Sequence, residues 1–257
     1  MAGTRLIESA RKAAQPFLKN RVIKRALIGI TMVIVELDDG AVGSSYVLRE
    51  ELSGCTSVFS DNKVLIGMEA ERMADWAVQE THVLKRALGI ACLNCGARAY
   101  LQKANLTGNV DFFSLVKKDD HVAMVGHIGP VVRWMNKKGI ANDVFDKGHC
   151  EHENLKELSK LEKSLEKADV VFLSGTTFIN GTIDSLLEHC LQAREVIIIG
   201  STTIAYREAY AETPVSLVAG TLWKQDKKDD LFLISSLAGG IRNLSDCIEK
   251  FAYNPKI

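Results

Sequence analysis

The chain has 257 residues, 47% of them hydrophobic and 25% charged, which supplies one large core or two smaller ones and excludes a disordered chain. Lysine plus arginine equals aspartate plus glutamate, 32 each, so no global field draws the molecule to nucleic acid or to an anionic membrane. Any ligand must be recognised locally.

The first stretch, MAGTRLIESARKAAQPFLKNR, reads as a basic amphipathic helix over about residues 4–19, interrupted by Pro16 and lacking the continuous apolar core of a secretory signal. The apolar run from Ala26 to Leu37 is too short to cross a bilayer as a helix and is rich in β-branched residues, so it predicts one long strand over about 22–37. No membrane segment is expected. Asp39-Gly40 between apolar runs predicts a hairpin into a second strand through Tyr46 and Val47. A third extended stretch near Cys55 to Phe59 precedes two helices, about 68–79 and 82–102. The second carries Leu84, Leu88, Cys92 and Cys95 at helical spacing, with Ala87 and Ala91 beside them, as a helix packed on a sheet does. This first part is an α+β unit.

From about residue 110 the texture changes to strands HVAMV, NDVFD, DVVFL, EVIII and VSLVA separated by helical patterns. Such alternation predicts βαβ crossovers and a parallel sheet with helices on both faces. The boundary falls in the turn-rich LTGN near Asn105 to Asn109, dividing the chain into residues 1–108 and 109–257. Leu155, Leu158, Leu161 and Leu165 make one apolar stripe in the charged run from Glu151 to Lys167, which predicts a solvated crossover helix without chemistry.

In a parallel sheet the loops after the strands gather along one edge, where open α/β sheets bind ligands. Four of these five strands run into a glycine: Gly126-His127-Ile128-Gly129-Pro130, Ser174-Gly175-Thr176-Thr177, Gly200-Ser201-Thr202-Thr203 and Gly220-Thr221. Glycine admits positive φ and close approach of a ligand to the backbone, and helix starts after such loops have free amides, so the edge favours a polar or anionic ligand. Asp146 ends the second of these strands, where dinucleotide folds keep a ribose-binding acid. GHIGPV nevertheless departs from GxGxxG, with Ile128 and Val131 in place of its second and third glycines. Pro130 suits the start of a helix. His127, on the rim of that loop, is a candidate acid, base or metal ligand, or a hydrogen-bonded structural histidine.

The stretch SGTTFINGTIDSLLEHC, residues 174–190, lacks GxxxxGK[ST] and offers its hydroxyls no partner base. Asn180 or Thr182 is placed to cap a helix whose buried face is Ile183, Leu186, Leu187, Cys190 and Leu191. Binding is what remains for Thr176 and Thr177.

Six cysteines, at 55, 92, 95, 150, 190 and 247, sit mostly in apolar elements, which predicts free thiols in a reducing, cytoplasmic setting. Cys92-Leu93-Asn94-Cys95 has no second pair at zinc spacing, so both cysteines are assigned to the core. The tetrapeptide His149-Cys150-Glu151-His152 is dense in potential ligands; it is read as a surface loop, and His127 with one of His149, Cys150 or His152 is the alternative metal arrangement.

The run DVVFLSGTTFINGTIDSLLEHCLQAREVIIIGSTT, with MVGHIGP upstream and VSLVAG downstream, resembles the heavy-metal chelation family, formerly known only as a domain of unknown function. VELDDGAVGSSYVL and ALGIACLNCGARAY resemble the hairpin and helix of its first half. The resemblance implies an enolase-N-terminal-like α+β domain followed by a Rossmann-like α/β domain. It also implies a ligand site in the cleft between them, bordered by Gly126, His127 and Gly129; by Ser174, Gly175, Thr176 and Thr177 with Asn180, Gly181 and Thr182; and by Gly200, Ser201, Thr202 and Thr203, with Asn94 approaching from the first domain. Where the family often has Gly-Pro-Thr-Thr this chain has Ser201, and its Asn-Ala pair is Asn94-Cys95 here; both departures bear on the ligand.

The leading expectation is a two-domain cytoplasmic protein that holds a small polar or anionic ligand in this cleft, with a divalent transition metal as candidate cofactor at His127. Its role would be metal handling or chelation. A transferase or lyase using a nucleotide-type cofactor such as S-adenosylmethionine, with His127 as acid or base, is the enzymatic alternative. A ligand sensor reporting to a partner is a third. No nucleic-acid or membrane partner is expected, and a homo-oligomer stays open.

Overall fold

The computed structural model describes residues 5–52, 58–59, 62–106, 108, 110–148 and 155–257. Helix α1 (Arg5–Leu18) buries Leu6, Ile7, Ala10, Ala14 and Leu18 along one face. It runs through Pro16 rather than being interrupted there, because Ala14 and Leu18 anchor the turn on both sides of the proline.

Strands β1 (Ile23–Ile28), β2 (Met32–Leu37) and β3 (Val42–Tyr46) form an antiparallel sheet in that order. The expected single strand over 22–37 is therefore two strands. The chain reverses at Gly29, whose amide donates to Met32 O (2.9 Å), and Ile28 faces Val33. Uniform β propensity hides such a reversal, since both arms favour extended backbone. The Asp39-Gly40 hairpin forms as expected, with Gly40 at φ +86°. Of the third extended stretch, residues 53–57 lie outside the described residues, and Val58 and Phe59 belong to no strand.

Helices α2 (Ala70–Gln79), α3 (Val83–Cys95) and α4 (Ala97–Lys103) follow. The helix expected over 82–102 breaks at Gly96, where the Tyr206 hydroxyl donates to Leu93 O (2.7 Å) and its oxygen stands 2.5 Å from where a Cβ on Gly96 would lie. Helix α3 is buried continuously from Ala87 to Cys95 because it is enclosed by both halves of the molecule. Two glycines let backbones meet around it. A Cβ on Gly89 would lie 2.2 Å from Ala77 N of α2, and one on Gly43 of β3 would lie 2.1 Å from Ala91 O.

The second half contains β4 (His121–Val125), α5 (Gly129–Lys138), β5 (Ala141–Phe145), α6 (Leu161–Lys167), β6 (Val170–Ser174), α7 (Thr176–Ile179), α8 (Ile183–Glu188), β7 (Glu195–Gly200), β8 (Leu217–Trp223), α9 (Lys228–Ser236) and β9 (Ile248–Tyr253). Its sheet has the order β5-β4-β6-β7-β8-β9, parallel except for β9. The five expected strands are present. The sixth, β9, pairs antiparallel with β8 and extends it, so Gly220 and Thr221 lie inside a ladder instead of in a loop at the strand's end. Of the crossover helix expected from Glu151 to Lys167, residues 151–154 lie outside the described residues. Leu155 bridges Val144, Leu158 is exposed, and the α-helix covers only Leu161–Lys167. Leu191, expected on the buried face of α8, is 70% exposed because that helix ends at Glu188.

One apolar cluster joins α1, α2 and α3 to Val171, Leu173, Val196 and Ile198 on one face of the second sheet. The other face packs Met124, Phe172 and Ile197 against Val131 and Met135 of α5. The core thus runs across the expected boundary near residue 108. Among the described residues no helix is long and apolar enough to cross a membrane.

Strand β2 divides its residues between two cores: Val33, Val35 and Leu37 face α3, while Met32 and Ile34 face α9. Glu36 lies on the α9 side, 1% exposed, with Arg25 Nε at 2.8 Å, Lys228 Nζ at 2.9 Å and Lys24 Nζ at 3.5 Å. Arg25 also pairs with Asp229 and lies 3.7 Å from the centre of the Phe232 ring, fastening α9 to the first sheet. Burial alone would raise the Glu36 pKa, but hydrogen bonds from Lys228 and Arg25 and their charges outweigh it and hold it below the ordinary 4.5.

Two predictions follow from this packing. Gly89→Ala forces a methyl into the α2 backbone and costs about 3 kcal/mol, the upper end of overpacking costs, read as a lowered urea midpoint. Glu36→Gln costs about 2 kcal/mol at pH 7, as expected for a lost charge-assisted bond. Because the folded carboxyl has the lower pKa, its contribution is complete above the unfolded value and is lost as pH falls through the folded one. The stability gap between wild type and Glu36→Gln therefore narrows on acidification below pH 4.5, which urea melts across pH 3–7 measure.

Candidate functional site

The chain leaves β4 to build β5 on one side and later returns to place β6 on the other, so the sheet's direction of growth reverses between β4 and β6. The C-terminal ends of strands flanking such a reversal leave a crevice, because their following loops depart to opposite faces. Here the two loops are Gly126–Gly129 and Ser174–Thr176. They touch: Gly126 has φ +87°, and a Cβ on it would stand 2.5 Å from that of Ser174. Pro130 sits in the first turn of α5, as expected.

The first loop is closed by its own acid. Asp146 Oδ2 accepts from the His127 amide (2.6 Å) and Oδ1 accepts from the Gly148 amide (2.8 Å). In the second loop Ser174 Oγ accepts from the amide (3.3 Å) and hydroxyl (3.0 Å) of Thr176, and Thr177 Oγ1 donates to Ser174 O (2.7 Å). Thr176 and Thr177 therefore belong to α7, a single helical turn. Gly175 is buried because a Cβ there would lie 2.6 Å from Thr203 N. Asn180 Oδ1 accepts from the amide (3.3 Å) and hydroxyl (2.8 Å) of Thr182, turning the chain into α8; Thr182 itself makes no side-chain cap. Gly181, at φ +73°, lies beneath the Arg86 guanidinium, which reaches over from α3 and donates to Phe178 O (3.3 Å).

The third loop is the seam with the first sheet. Gly200 has φ +136°, and no α-helix follows; the next turn is the 3-10 segment Arg207–Tyr210. Thr202 Oγ1 accepts from the Tyr46 amide of β3 (2.9 Å), and Ser44 Oγ donates to Ser201 O (3.3 Å) while accepting from Trp223 Nε1 (2.9 Å). Asn94 donates from Nδ2 to Ser44 O (3.0 Å). Two buried oxygens along this seam, Asn94 Oδ1 and Thr203 Oγ1, have no hydrogen-bond partner among the described residues. Thr177, Thr202 and Thr203 are each buried, whereas Gly126, His127, Gly129, Ser174, Thr176 and Ser201 keep a half-buried edge open to ligand.

Among the described residues no three His, Cys, Asp or Glu side chains converge to hold an ion. Cys92 and Cys95 lie in the core, where burial pushes the Cys92 thiol up to about 12 and the Cys95 thiol well above its usual range. Burial also pushes Cys190 up to about 12. All four described cysteines are free and buried, so none offers a thiolate near neutral pH. His149, Cys150 and His152 lie outside the described residues.

The sequence reading missed Ser44, Tyr46, Trp223 and Arg86, which join the halves around the strand ends. Only Gly43 beside Ser44 offered a signal, as a glycine inside a strand marks close backbone approach.

An α/β protein with an antiparallel first sheet, a mostly parallel second sheet and a polar crevice at its strand reversal is thereby defined. Family models match its two parts: DUF364 over residues 109–252 and DUF4213 over residues 11–96, each described as "Putative heavy-metal chelation". The chain belongs to the DUF364 family. A DUF364 protein of unknown function from Pyrococcus horikoshii superposes with a TM-score of 0.80 at 21% identity, covering 97% of this chain and 99% of that one. Another, from Desulfitobacterium hafniense, gives 0.77 at 16% identity over 97% and 98%. At such identities the likeness carries the fold alone. An uncharacterized protein of Methanocaldococcus jannaschii is 26% identical over 159 residues, 54% of this chain and 55% of that protein, so the match spans about half of the relative's length.

The seam yields a paired prediction. Thr202→Val strands the Tyr46 amide and costs about 2 kcal/mol, whereas Thr203→Val removes a hydroxyl without a described partner and changes stability by less than about 0.5 kcal/mol. Urea melts of both variants without added ligand check the contrast.

Proposed function

We propose that this chain binds a small polar or anionic ligand at the crevice between the β4 and β6 strand ends, in the handling or chelation of a transition metal. The observation that carries this reading is the coincidence of the sheet's reversal with the contact between Gly126 and Ser174. Half-buried polar groups at Ser174, Thr176, Gly200 and Ser201 line its approach, and the seam residues Asn94, Thr202 and Thr203 support it from behind. The family description directs the reading toward metals.

Among the described residues this edge offers a metal one imidazole, that of His127. The ion is then cargo, held chiefly by donors of the ligand that accompanies it. Such an arrangement suits chelate handling better than a resident metal cofactor, which draws three or four protein ligands. Free, buried thiols agree with a reducing cytoplasmic setting. Asp146 is engaged in closing its own loop, so it lends no support to a ribose-holding role or to a transferase using a nucleotide-type cofactor.

Elemental analysis of protein purified without an affinity tag, together with thermal shifts against divalent metals, S-adenosylmethionine and nucleotides, tests the reading. Metal with a small chelator raises the midpoint, reaching about 2.7 kcal/mol of stabilisation at a hundredfold excess over Kd, and His127→Ala diminishes the shift. Absence of any metal-dependent shift, or one unaltered in His127→Ala, would sink it. A shift with S-adenosylmethionine alone would favour the transferase.

A further inference from the structure

We propose that Arg133 and Arg242 form a phosphate-recognition pair over Gly129, so that the ligand of this crevice carries a phosphoryl group. The inference rests on the strand-end reading for its location but not on any metal. Three side chains surround the place where a Cβ on Gly129 would lie: Arg133 Nη1 at 3.1 Å, His127 Cε1 at 3.8 Å and Arg242 Nη2 at 3.9 Å. The two guanidinium nitrogens therefore converge on one small volume that the glycine leaves open. Arg133 comes from α5 and Arg242 from the loop beyond α9, 109 positions later in the chain, so their meeting is a product of the fold.

Neither guanidinium has a hydrogen-bond or ion-pair partner among the described residues. Other arginines of the molecule are engaged: Arg25 with Glu36 and Asp229, Arg98 with Glu249, Arg194 with Asp120. Arg72 also lacks a described partner, but it stands alone on the exposed face of α2, which costs nothing. Two unpaired cations brought to one point repel each other, and an anion between them removes that repulsion. Two described carboxylates of this corner have other contacts: Asp146 binds the amides of His127 and Gly148, and the Glu50 carboxyl carbon lies 2.9 Å from the Cβ position of Gly148.

The charge selects the ligand. A phosphate monoester is close to a dianion near neutral pH, and its tetrahedral oxygens can accept from two planar guanidinium forks at once. A single carboxylate would neutralise only one of the two charges. The remainder of the ligand would extend from Gly129 toward Ser174, where the second loop touches the first.

The test is binding of inorganic phosphate and of glycerol 3-phosphate, followed by calorimetry at constant ionic strength, with acetate as the carboxylate arm. Wild type, Arg133→Gln, Arg242→Gln and the control Arg72→Gln are compared. Saturable binding of a phosphate species, weakened at least tenfold in Arg133→Gln and in Arg242→Gln and unchanged in Arg72→Gln, is the expected result. Both crevice arginines are exposed, and unchanged thermal midpoints of the unliganded variants establish that binding alone is altered. No saturable phosphate binding, equal affinity for acetate, or an equal loss in Arg72→Gln would overturn the proposal. Metal-dependent stabilisation and its loss in His127→Ala are read separately, so phosphate binding without metal binding removes the chelation reading and leaves this one standing, and the converse removes this one.

Discussion

The architecture depends on the insertion of β3 between α3 and the strand ends of the larger sheet. Ser44 is the node. Its hydroxyl accepts from Trp223 and donates to Ser201 O, its carbonyl accepts from Asn94, and the neighbouring Gly43 lets the strand lie directly against the α3 backbone. A buried hydroxyl gains about 1 kcal/mol from each well-made bond and loses more if left alone, so this node is worth most when all its partners are present together. That requirement fixes the register of the antiparallel sheet against the parallel one. It also sets where Tyr46 meets Thr202, and hence the wall behind the crevice.

Much of the fold could be read from periodicity. The buried face of α3 was legible in Leu84, Leu88, Cys92 and Cys95, and the five parallel strands in their apolar runs, because each pattern reports a burial that local spacing encodes. What escaped were features decided by partners distant in the chain. The reversal at Gly29 is invisible within a uniformly β-branched run, and β9 gains its strand character by pairing with β8. Gly220 looked like a strand-end glycine for the same reason. At the crevice, the glycines of the first two loops are legible as a group, whereas the burial of Thr177, Thr202 and Thr203 is not, because it is their neighbours in space that cover them. Arg133 and Arg242 could not be found by spacing, since 109 positions separate them.

The described residues of the crevice suit recognition more than coordination. Backbone conformations at Gly126, Gly181 and Gly200 that L side chains rarely adopt are held by contacts on both sides, and the loops they shape present hydroxyls and one imidazole. The four described thiols, which would bind soft metals most firmly, lie in the core as protonated groups. Under the proposed function such a site would choose a small molecule by shape and charge, leaving the firm grip on an ion to that molecule's own donors.

Helix α9 has a further consequence. Arg25 of β1 and Asp229 of α9 are 204 residues apart, yet their contact helps cover the outer face of the first sheet, as do Leu231 and Phe232. A ribosome delivers about 5–20 residues each second, so Met32, Ile34 and the charged Glu36 wait on the order of ten seconds or more before their cover is synthesised. For that interval the newborn sheet displays an apolar strip ending in a carboxylate that has only Lys24 and Arg25 of β1 as partners. The charged cluster at the end of the strip makes stacking against another nascent chain costly, and Glu36 later becomes the anchor that receives the helix through Lys228.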